Sequence, residues 1–281
     1  MKHVELKNGI ELPAIGYGTF LSTDGKGTAA IQDALDVGYR YFDTASFYGN
    51  EEELGSLFSS CSVGRSELQI CSKLWKTEMG YDNAIEAVKK SLKKLKTDYL
   101  DLYLIHWPKQ DGAGDEWKET VKETWRAMEH IYEEGLVKAI GLSNFLPHHV
   151  DVVLEDAKIK PMVDQLELHV GYMQPFAVDY CRKNDMIVQA WSPLGRSRVL
   201  TDPICIKMAE KYNCSVARFL LTFLIQQDIM VLPKASSKDR IRDNYSSGDF
   251  TISDEDMKYL LSLPQIGWSG EHPDIPIGTE F

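Results

Sequence analysis

Residues 68–106 read LQICSKLWKTEMGYDNAIEAVKKSLKKLKTDYLDLYLIH, and this stretch decides the fold. It begins with an apolar run, Leu68–Lys73, and ends with a second one, Leu100–His106. Between them the apolar residues recur at helical spacing, at Ile85, Val88, Leu92 and Leu95. This pattern predicts two strands joined by an amphipathic helix. Because the connection is too long for a hairpin, the two strands are expected to lie parallel.

The same strand-helix unit recurs along the chain from about residue 14 to residue 250. The other predicted strands are Ala14–Gly16, Tyr39–Asp43, Ala139–Ser143, Met162–Leu166, Ile187–Trp191 and Met230–Leu232. A second helical pattern is formed by Val121, Trp125, Met128 and Tyr132. Eight such units in an uninterrupted series predict a closed (β/α)8 barrel of the TIM type, with residues 1–281 as one domain.

An open, doubly wound sheet is the alternative architecture. Its dinucleotide signature, Gly-x-Gly-x-x-Gly, should follow the first strand. Here the chain reads Gly16-Tyr17-Gly18-Thr19-Phe20-Leu21, which lacks the third glycine. The sequence therefore favours the barrel.

Three segments are expected to flank the barrel. Residues His3–Leu6 and Ile10–Leu12, around Asn8-Gly9, predict a β-hairpin that plugs one end. Ser253–Leu263 is predicted as a helix with Ser253 as its N-cap. The tail Pro264–Phe281 is rich in Gly and Pro, so it should lie across a barrel mouth instead of forming one helix.

Charge and composition exclude several classes of protein. With 31 basic and 42 acidic residues the net charge is −11, which disfavours nucleic acid and anionic membranes as partners. The N-terminus is too polar for a signal peptide, and the most apolar run, Phe219–Ile225, is too short to cross a bilayer. Five scattered cysteines form no C-x-x-C pair and are expected as free thiols. We therefore expect a cytoplasmic protein.

Polar residues stand at the ends of many predicted strands, where a (β/α)8 barrel places its active site. Tyr48 lies in the loop five residues after Asp43, the first of these strand-ending residues. The strand-ending residues are Asp43, Lys73, His106, Ser143, Asn144, Gln165 and Lys234. Each has an ordinary structural explanation when taken alone, such as a helix cap, a solvated lysine or a core histidine. Their convergence on one mouth favours a shared chemical role.

Asp, Lys, Tyr and His together suit the reduction of a carbonyl group. Asp43 can fix the ammonium of Lys73, and that ammonium is expected to lower the pKa of Tyr48. Tyr48 could then donate a proton to a developing alkoxide, while neutral His106 orients the carbonyl oxygen. The hydride must come from a cofactor.

Four motifs resemble the aldo-keto reductase family. They are Phe42-Asp43-Thr44-Ala45-Ser46-Phe47-Tyr48-Gly49-Asn50-Glu51, Leu104-Ile105-His106-Trp107-Pro108, Ile140-Gly141-Leu142-Ser143-Asn144-Phe145 and Trp191-Ser192-Pro193-Leu194-Gly195. The resemblance runs from Gly9 to about Asn244 and implies a (β/α)8 reductase that uses NADPH without a metal or flavin.

The resemblance also assigns roles to individual residues. Asp43, Tyr48, Lys73 and His106 match the catalytic tetrad, with Tyr48 as the general acid. Ser143, Asn144 and Gln165 match the residues that hold the nicotinamide carboxamide. Trp191 stands where many members carry a tyrosine that stacks on the nicotinamide, although core packing would also explain a tryptophan here.

The remaining cofactor contacts follow from the same resemblance. Ser192, Leu194 and Arg196 would line the pyrophosphate, and residues 232–244 resemble the segment that binds the adenosine 2′-phosphate and adenine. In that segment Lys234 and Arg240 match the cations, and Asn244 matches an adenine contact. Ala235 replaces a common serine, so Ser236 or Ser237 would have to supply the hydroxyl. NADPH is expected over NADH, and the alternative for this basic segment is a solvated helix start.

The substrate pocket is expected to be aromatic. Phe20, Trp75 and Trp107, together with Trp268 of the tail, match pocket positions, and the loops are short. An open aromatic pocket favours an enzyme that accepts many small aldehydes and ketones. We expect this enzyme to be a monomer. The alternative function is a cofactor-sensing regulatory subunit of the same fold.

Metal-dependent chemistry is not expected. The pairs Glu167–His169 and His148–His149 lack a third ligand at any usual sequence spacing. No Gly-x-Ser-x-Gly elbow or P-loop occurs, which disfavours serine hydrolases and nucleotide hydrolases.

Overall fold

The computed structural model describes residues 2–23 and 28–275, in which strands and helices alternate. The strands are β1 His3–Glu5, β2 Glu11–Pro13, β3 Tyr17–Gly18, β4 Tyr41–Asp43, β5 Gln69–Leu74, β6 Leu102–Ile105, β7 Ile140–Ser143, β8 Val163–Glu167, β9 Ile187–Trp191 and β10 Met230–Val231. The α-helices are α1 Ala29–Val37, α2 Glu51–Ser60, α3 Tyr81–Leu95, α4 Trp117–Glu133, α5 Pro147–Asp156, α6 Pro175–Lys183, α7 Pro203–Lys211, α8 Val216–Ile225, α9 Lys238–Tyr245 and α10 Asp254–Leu261.

Strands β3 to β10 form one sheet in which each strand pairs in parallel with the next along the chain. The two ends of this sheet meet through a parallel bridge between Ile15 and Val231. The Gly16 N–H donates to the Val231 carbonyl over 2.9 Å, and the Val231 N–H donates to the Ala14 carbonyl over 2.9 Å. The closed (β/α)8 barrel is confirmed, and the open doubly wound sheet was the wrong alternative.

The first barrel strand lies later in the sequence than predicted. The prediction of Ala14–Gly16 was wrong in its bounds, because β3 begins at Tyr17. Residues 14–16 bond to β10 and, through the Ala14 N–H, to the Lys2 carbonyl, whereas Tyr17 and Gly18 pair with Phe42 and Asp43 of β4. The bounds of the other predicted strands differ by no more than two residues from those observed.

The N-terminal hairpin covers the end of the barrel opposite the candidate site. Strands β1 and β2 pair antiparallel, and Gly9 makes the turn at a φ of +82°. The Lys7 ammonium donates to the Pro161 carbonyl, just before β8. Leu6 and Leu12 are buried in the core, so the hairpin acts as the predicted plug.

The predicted C-terminal helix and free cysteines are also observed. Ser253 Oγ accepts the Asp256 N–H over 3.3 Å, which confirms Ser253 as the N-cap. The helix α10 ends at Leu261 instead of Leu263, because Pro264 disfavours helical backbone in the residue before it. All five cysteines lie in the described residues and are unpaired. Among the described helices, none has both the length and the apolar character that a membrane crossing requires.

Candidate active site

A cavity of about 640 Å³ opens at the carboxyl ends of the barrel strands. Its size is within the usual range for small-molecule and cofactor sites. It brings together most of the residues that the sequence singled out: Phe20, Asp43, Tyr48, Trp75, His106, Trp107, Ser143, Asn144, Gln165, Trp191, Ser192, Leu194, Arg196 and Lys234. Lys73 lies just beneath this surface and is fully buried.

Lys73 links two of the predicted catalytic side chains. Its ammonium, near the end of β5, donates to Asp43 Oδ2 over 2.7 Å and to the Thr44 carbonyl over 2.9 Å. It also lies 3.3 Å from the hydroxyl of Tyr48, which a short 3₁₀ turn, Ser46–Tyr48, places above it. Burial alone would lower the pKa of Lys73, but the ion pair and hydrogen bond with Asp43 raise it above its usual value. Lys73 is therefore a fixed cation.

The expected lowering of the Tyr48 pKa is wrong for this structure. Burial raises that pKa above its usual value, and Asp43 adds to this effect, whereas Lys73 opposes it. The desolvation of the phenolate outweighs the attraction of the ammonium. Tyr48 consequently keeps its proton at neutral pH and can donate it.

His106 follows the end of β6 and stands beside Tyr48, with the ring centroids 5.7 Å apart. Burial, followed by the nearby charges of Lys73 and Lys76, holds the pKa of His106 well below its usual value. The imidazole is therefore neutral. Its Nδ1 is buried without a hydrogen-bond partner among the described residues.

The residues matched to the nicotinamide form a connected group at the ends of β7, β8 and β9. Ser143 Oγ donates to the Gln165 carbonyl over 3.0 Å, and Asn144 Nδ2 donates to the His106 carbonyl over 3.0 Å. Trp191 Nε1 donates to Asn144 Oδ1 over 2.7 Å. Trp191 thus uses its edge to hold Asn144 and leaves its ring at the cavity wall.

The turn after β9 brings a cation to the rim. Ser192 and Arg196 both have positive φ, and Ser192 Oγ accepts the Arg196 backbone N–H over 2.9 Å. The Arg196 guanidinium lies 5.6 Å from the Trp191 ring centroid and donates to Glu271 over 2.6 Å. Leu194 forms part of the same wall.

The segment matched to the 2′-phosphate is only partly joined to the cavity. Lys234 lines the cavity and is exposed, whereas Ser236, Arg240 and Asn244 lie beyond the described lining. Arg240 donates to Ser236 Oγ over 3.2 Å and to Ser237 Oγ over 3.0 Å. This places two hydroxyls beside one exposed cation at the start of α9.

Aromatic side chains form the outer part of the cavity. Phe20 contacts Tyr48 with a centroid distance of 4.9 Å, and Phe47 stacks on Trp75 at 3.9 Å. The sequence reasoning missed Phe47, although it lies in the quoted motif directly before Tyr48. Trp268 stacks on Tyr172 and is not part of the described lining, so its expected place in the substrate pocket stays a prediction.

The described part of the tail crosses the mouth, as predicted, and is fastened to it by side chains. The buried carboxylate of Glu167 accepts both the N–H and the hydroxyl of Ser269, at 2.9 and 2.6 Å. Glu271 binds Arg196, and Asp274 Oδ1 accepts the Lys109 ammonium over 2.7 Å. The sequence alone missed these contacts, because their partners lie in distant loops.

The structure adds a third potential ligand, Asp274, to the pair His148–His149. Nε2 of each histidine lies 3.0 Å from Asp274 Oδ1. However, His149 Nδ1 accepts the Leu146 N–H, so the ring proton must sit on Nε2, the atom that would bind a metal. Lys109 also occupies the same carboxylate oxygen. The cluster is therefore suited to anchoring the tail and poorly suited to binding a cation.

Comparison with known proteins shows which family the chain matches. The model of the aldo/keto reductase family matches residues 14–264. A glyoxal reductase from Bacillus subtilis (strain 168) is 41% identical over 272 residues, covering 96% of each chain. A 9,11-endoperoxide prostaglandin H2 reductase from Trypanosoma cruzi (strain CL Brener) is 36% identical over 283 residues, covering 99% of this chain and 97% of that protein.

Solved structures of aldo-keto reductases are also similar to this chain. An aldo-keto reductase enzyme from a Medee basin deep-sea metagenome library superposes with a TM-score of 0.87 at 42% identity, covering 93% of this chain and 94% of its own. The aldose reductase from Schistosoma japonicum superposes with a TM-score of 0.86 at 35% identity, covering 100% of both chains.

Proposed function

Because the chain belongs to the aldo/keto reductase family, we propose that it is an NADPH-dependent reductase that converts aldehydes and ketones to alcohols. The observation that carries this proposal is the buried Lys73, held by Asp43 over 2.7 Å and lying 3.3 Å from the Tyr48 hydroxyl at the cavity wall. In this arrangement Tyr48 is a proton donor whose phenolate would be stabilised by the adjacent Lys73 ammonium.

Each tetrad residue has a defined task in this proposal. Tyr48 donates its phenolic proton to the carbonyl oxygen as negative charge develops there. The Lys73 ammonium stabilises the phenolate that remains, and Asp43 keeps the ammonium in position. Neutral His106 orients the carbonyl oxygen from the other side.

The described residues fit NADPH as the cofactor, which would supply the hydride when bound. Gln165 lines the cavity and its Oε1 accepts no hydrogen bond from the described residues, so an acceptor is available for the carboxamide. With it, Ser143 and Asn144 would hold the carboxamide and Trp191 the nicotinamide ring. Ser192, Leu194 and Arg196 would bind the pyrophosphate. The 2′-phosphate and adenine would contact Lys234, Ser236, Arg240 and Asn244.

The aromatic wall supports small and aromatic carbonyl compounds as substrates. Phe20, Trp75 and Trp107 line the same cavity as Tyr48, and Phe20 contacts the Tyr48 ring. The similarity to a glyoxal reductase adds small dicarbonyls to this class. We therefore propose glyoxal, methylglyoxal and benzaldehyde as test substrates.

The test follows the loss of NADPH absorbance with each of these three compounds, with NADH in parallel. We expect oxidation of NADPH with at least one compound and a slower reaction with NADH. If the chain binds NADPH but oxidises it with none of a broad panel of carbonyls, the reductase proposal is wrong. That result would favour a cofactor-sensing binding protein of the same fold.

A further inference from the structure

The barrel interior contains a buried amide that the proposed reaction does not use, Gln189 in β9. Its side chain is fully buried, and it lies opposite Gln165 in the register between β8 and β9. Gln165 reaches the cavity, whereas Gln189 lies beneath it and is not part of the described lining. A buried polar residue of this kind needs partners, and the identity of those partners shows what it does.

One carboxylate fixes the direction of the hydrogen bonds around Gln189, whose Nε2 also donates to Met230 Sδ over 3.6 Å. Asp43, ion-paired with Lys73, can only accept hydrogen bonds. The group 2.8 Å from Asp43 Oδ1 must therefore be the NH₂ of Gln165. The second hydrogen of that NH₂ goes to Gln189 Oε1 over 3.1 Å, and Gln189 Nε2 donates to the Tyr41 hydroxyl over 3.0 Å.

Both amide hydrogens of Gln165 are consequently used inside the barrel. Its Oε1 has no donor among the described residues and remains for the cavity. If Gln189 were absent, one N–H of Gln165 could still bond Asp43 while the Gln165 amide rotates and turns its other N–H toward the cavity. Asp43 therefore keeps the NH₂ end of the amide inward, and Gln189 Oε1 fixes the rotation of the amide about that contact, which sets the direction of Gln165 Oε1.

We propose that Gln189 is a positioning residue that acts through Gln165. By accepting the second amide hydrogen of Gln165, it holds Gln165 Oε1 in place to accept an N–H from the nicotinamide carboxamide. This inference rests on the proposed function, because it takes the nicotinamide as the ligand. It also connects the tetrad to the cofactor site, since Asp43 holds both Lys73 and Gln165.

The test compares the binding of NADP⁺ with that of its 3-acetylpyridine analogue, which lacks the carboxamide N–H. Gln189→Met has a similar shape and no hydrogen-bonding amide. We expect it to weaken NADP⁺ binding by about 2- to 12-fold, the range for one neutral hydrogen bond. Binding of the analogue should change little. Dissociation constants are measured by calorimetry, so the readout does not depend on turnover.

Two further variants separate positioning from general damage. Gln189→Glu keeps an acceptor for Gln165 and should restore the preference for NADP⁺. Gln226→Met removes a side chain that bonds the Ile252 backbone far from the cavity, so it should lower stability without changing the ratio of the two constants.

Equal weakening of both ligands by Gln189→Met, or no weakening of either, would overturn the inference. If this variant does not fold, Tyr41→Phe takes its place, because it removes the hydroxyl that holds Gln189. It should shift the same ratio in the same direction, and an unchanged ratio would count against the proposal. A wild-type chain that binds neither ligand would overturn the proposed function as well, whereas a working reductase with an unshifted ratio would overturn only the role of Gln189.

Discussion

The floor and the rim of the cavity hold ion pairs of almost the same length, one buried and one partly exposed. On the floor, Lys73 and Asp43 are 2.7 Å apart, with 0% and 5% of their side chains exposed. On the rim, Arg196 and Glu271 are 2.6 Å apart, with 35% and 15% exposed. Distance alone therefore does not distinguish the two pairs. Burial decides how much each pair contributes to stability.

Burial makes the floor rigid and the rim adjustable. Removing one partner of a buried pair leaves an uncompensated charge and costs about 3–5 kcal/mol. An exposed pair contributes about 0.2–1 kcal/mol. The floor can hold a proton donor in one geometry, whereas the rim can exchange a protein carboxylate for a charged ligand. Three changes test this contrast.

The largest effect is expected on the floor, from Tyr48→Phe. This change removes the proposed proton donor and adds no bulk, so carbonyl reduction should fall by about 10²–10⁴-fold. NADPH binding should be nearly unchanged, because the hydroxyl bonds Lys73 in the structure. Turnover and the NADPH dissociation constant are measured separately. Because the pKa of Tyr48 is raised, wild-type reduction should stay nearly constant from about pH 6 to about pH 9.

Tyr103→Phe is the matched control for this prediction. Tyr103 lies in β6, is fully buried and has a hydroxyl without a hydrogen-bond partner among the described residues. Removing that hydroxyl should leave turnover unchanged. Unchanged turnover in Tyr48→Phe would show that Tyr48 is not the general acid.

A smaller effect is expected beyond the described lining of the cavity, from Arg240→Ala. If the guanidinium binds the 2′-phosphate, the variant should lose about 10- to 150-fold in NADPH affinity, the range for a charge-assisted hydrogen bond to phosphate. NADH lacks this phosphate and should be affected little. The ratio of the two dissociation constants, from quenching of tryptophan fluorescence, is the quantity to measure.

Arg242→Ala provides the control, because Arg242 is exposed on the same helix and faces Asp239. It should change neither constant. If Arg240→Ala weakens both cofactors equally, then Arg240 does not bind the 2′-phosphate, and the preference for NADPH loses its main support.

The same contrast explains what could be predicted from the sequence. Floor residues such as Asp43 and His106 end apolar strands, and a barrel must bring such ends together, so local pattern was enough to find them. Rim contacts join segments that are far apart in the chain, as Arg196 and Glu271 are, so the local periodicity of the sequence does not predict them. The Tyr48 pKa was misjudged because its direction depends on burial, which the pattern does not give.

The smallest effect concerns the rim pair itself. Glu271 accepts a hydrogen bond from the Arg196 guanidinium, which is proposed to bind the pyrophosphate. Since both are anions, they should compete for Arg196, and Glu271→Gln should free the cation. NADPH binding is then expected to tighten by about 1.4- to 5-fold, the equivalent of one exposed ion pair.

A double-mutant cycle shows whether that gain passes through Arg196. In an Arg196→Ala background, Glu271→Gln should leave the NADPH dissociation constant unchanged, because no cation remains to be released. Weaker NADPH binding in the single variant would reverse the interpretation. It would mean that Glu271 holds Arg196 in place for the cofactor, and that this part of the rim is as preorganised as the floor.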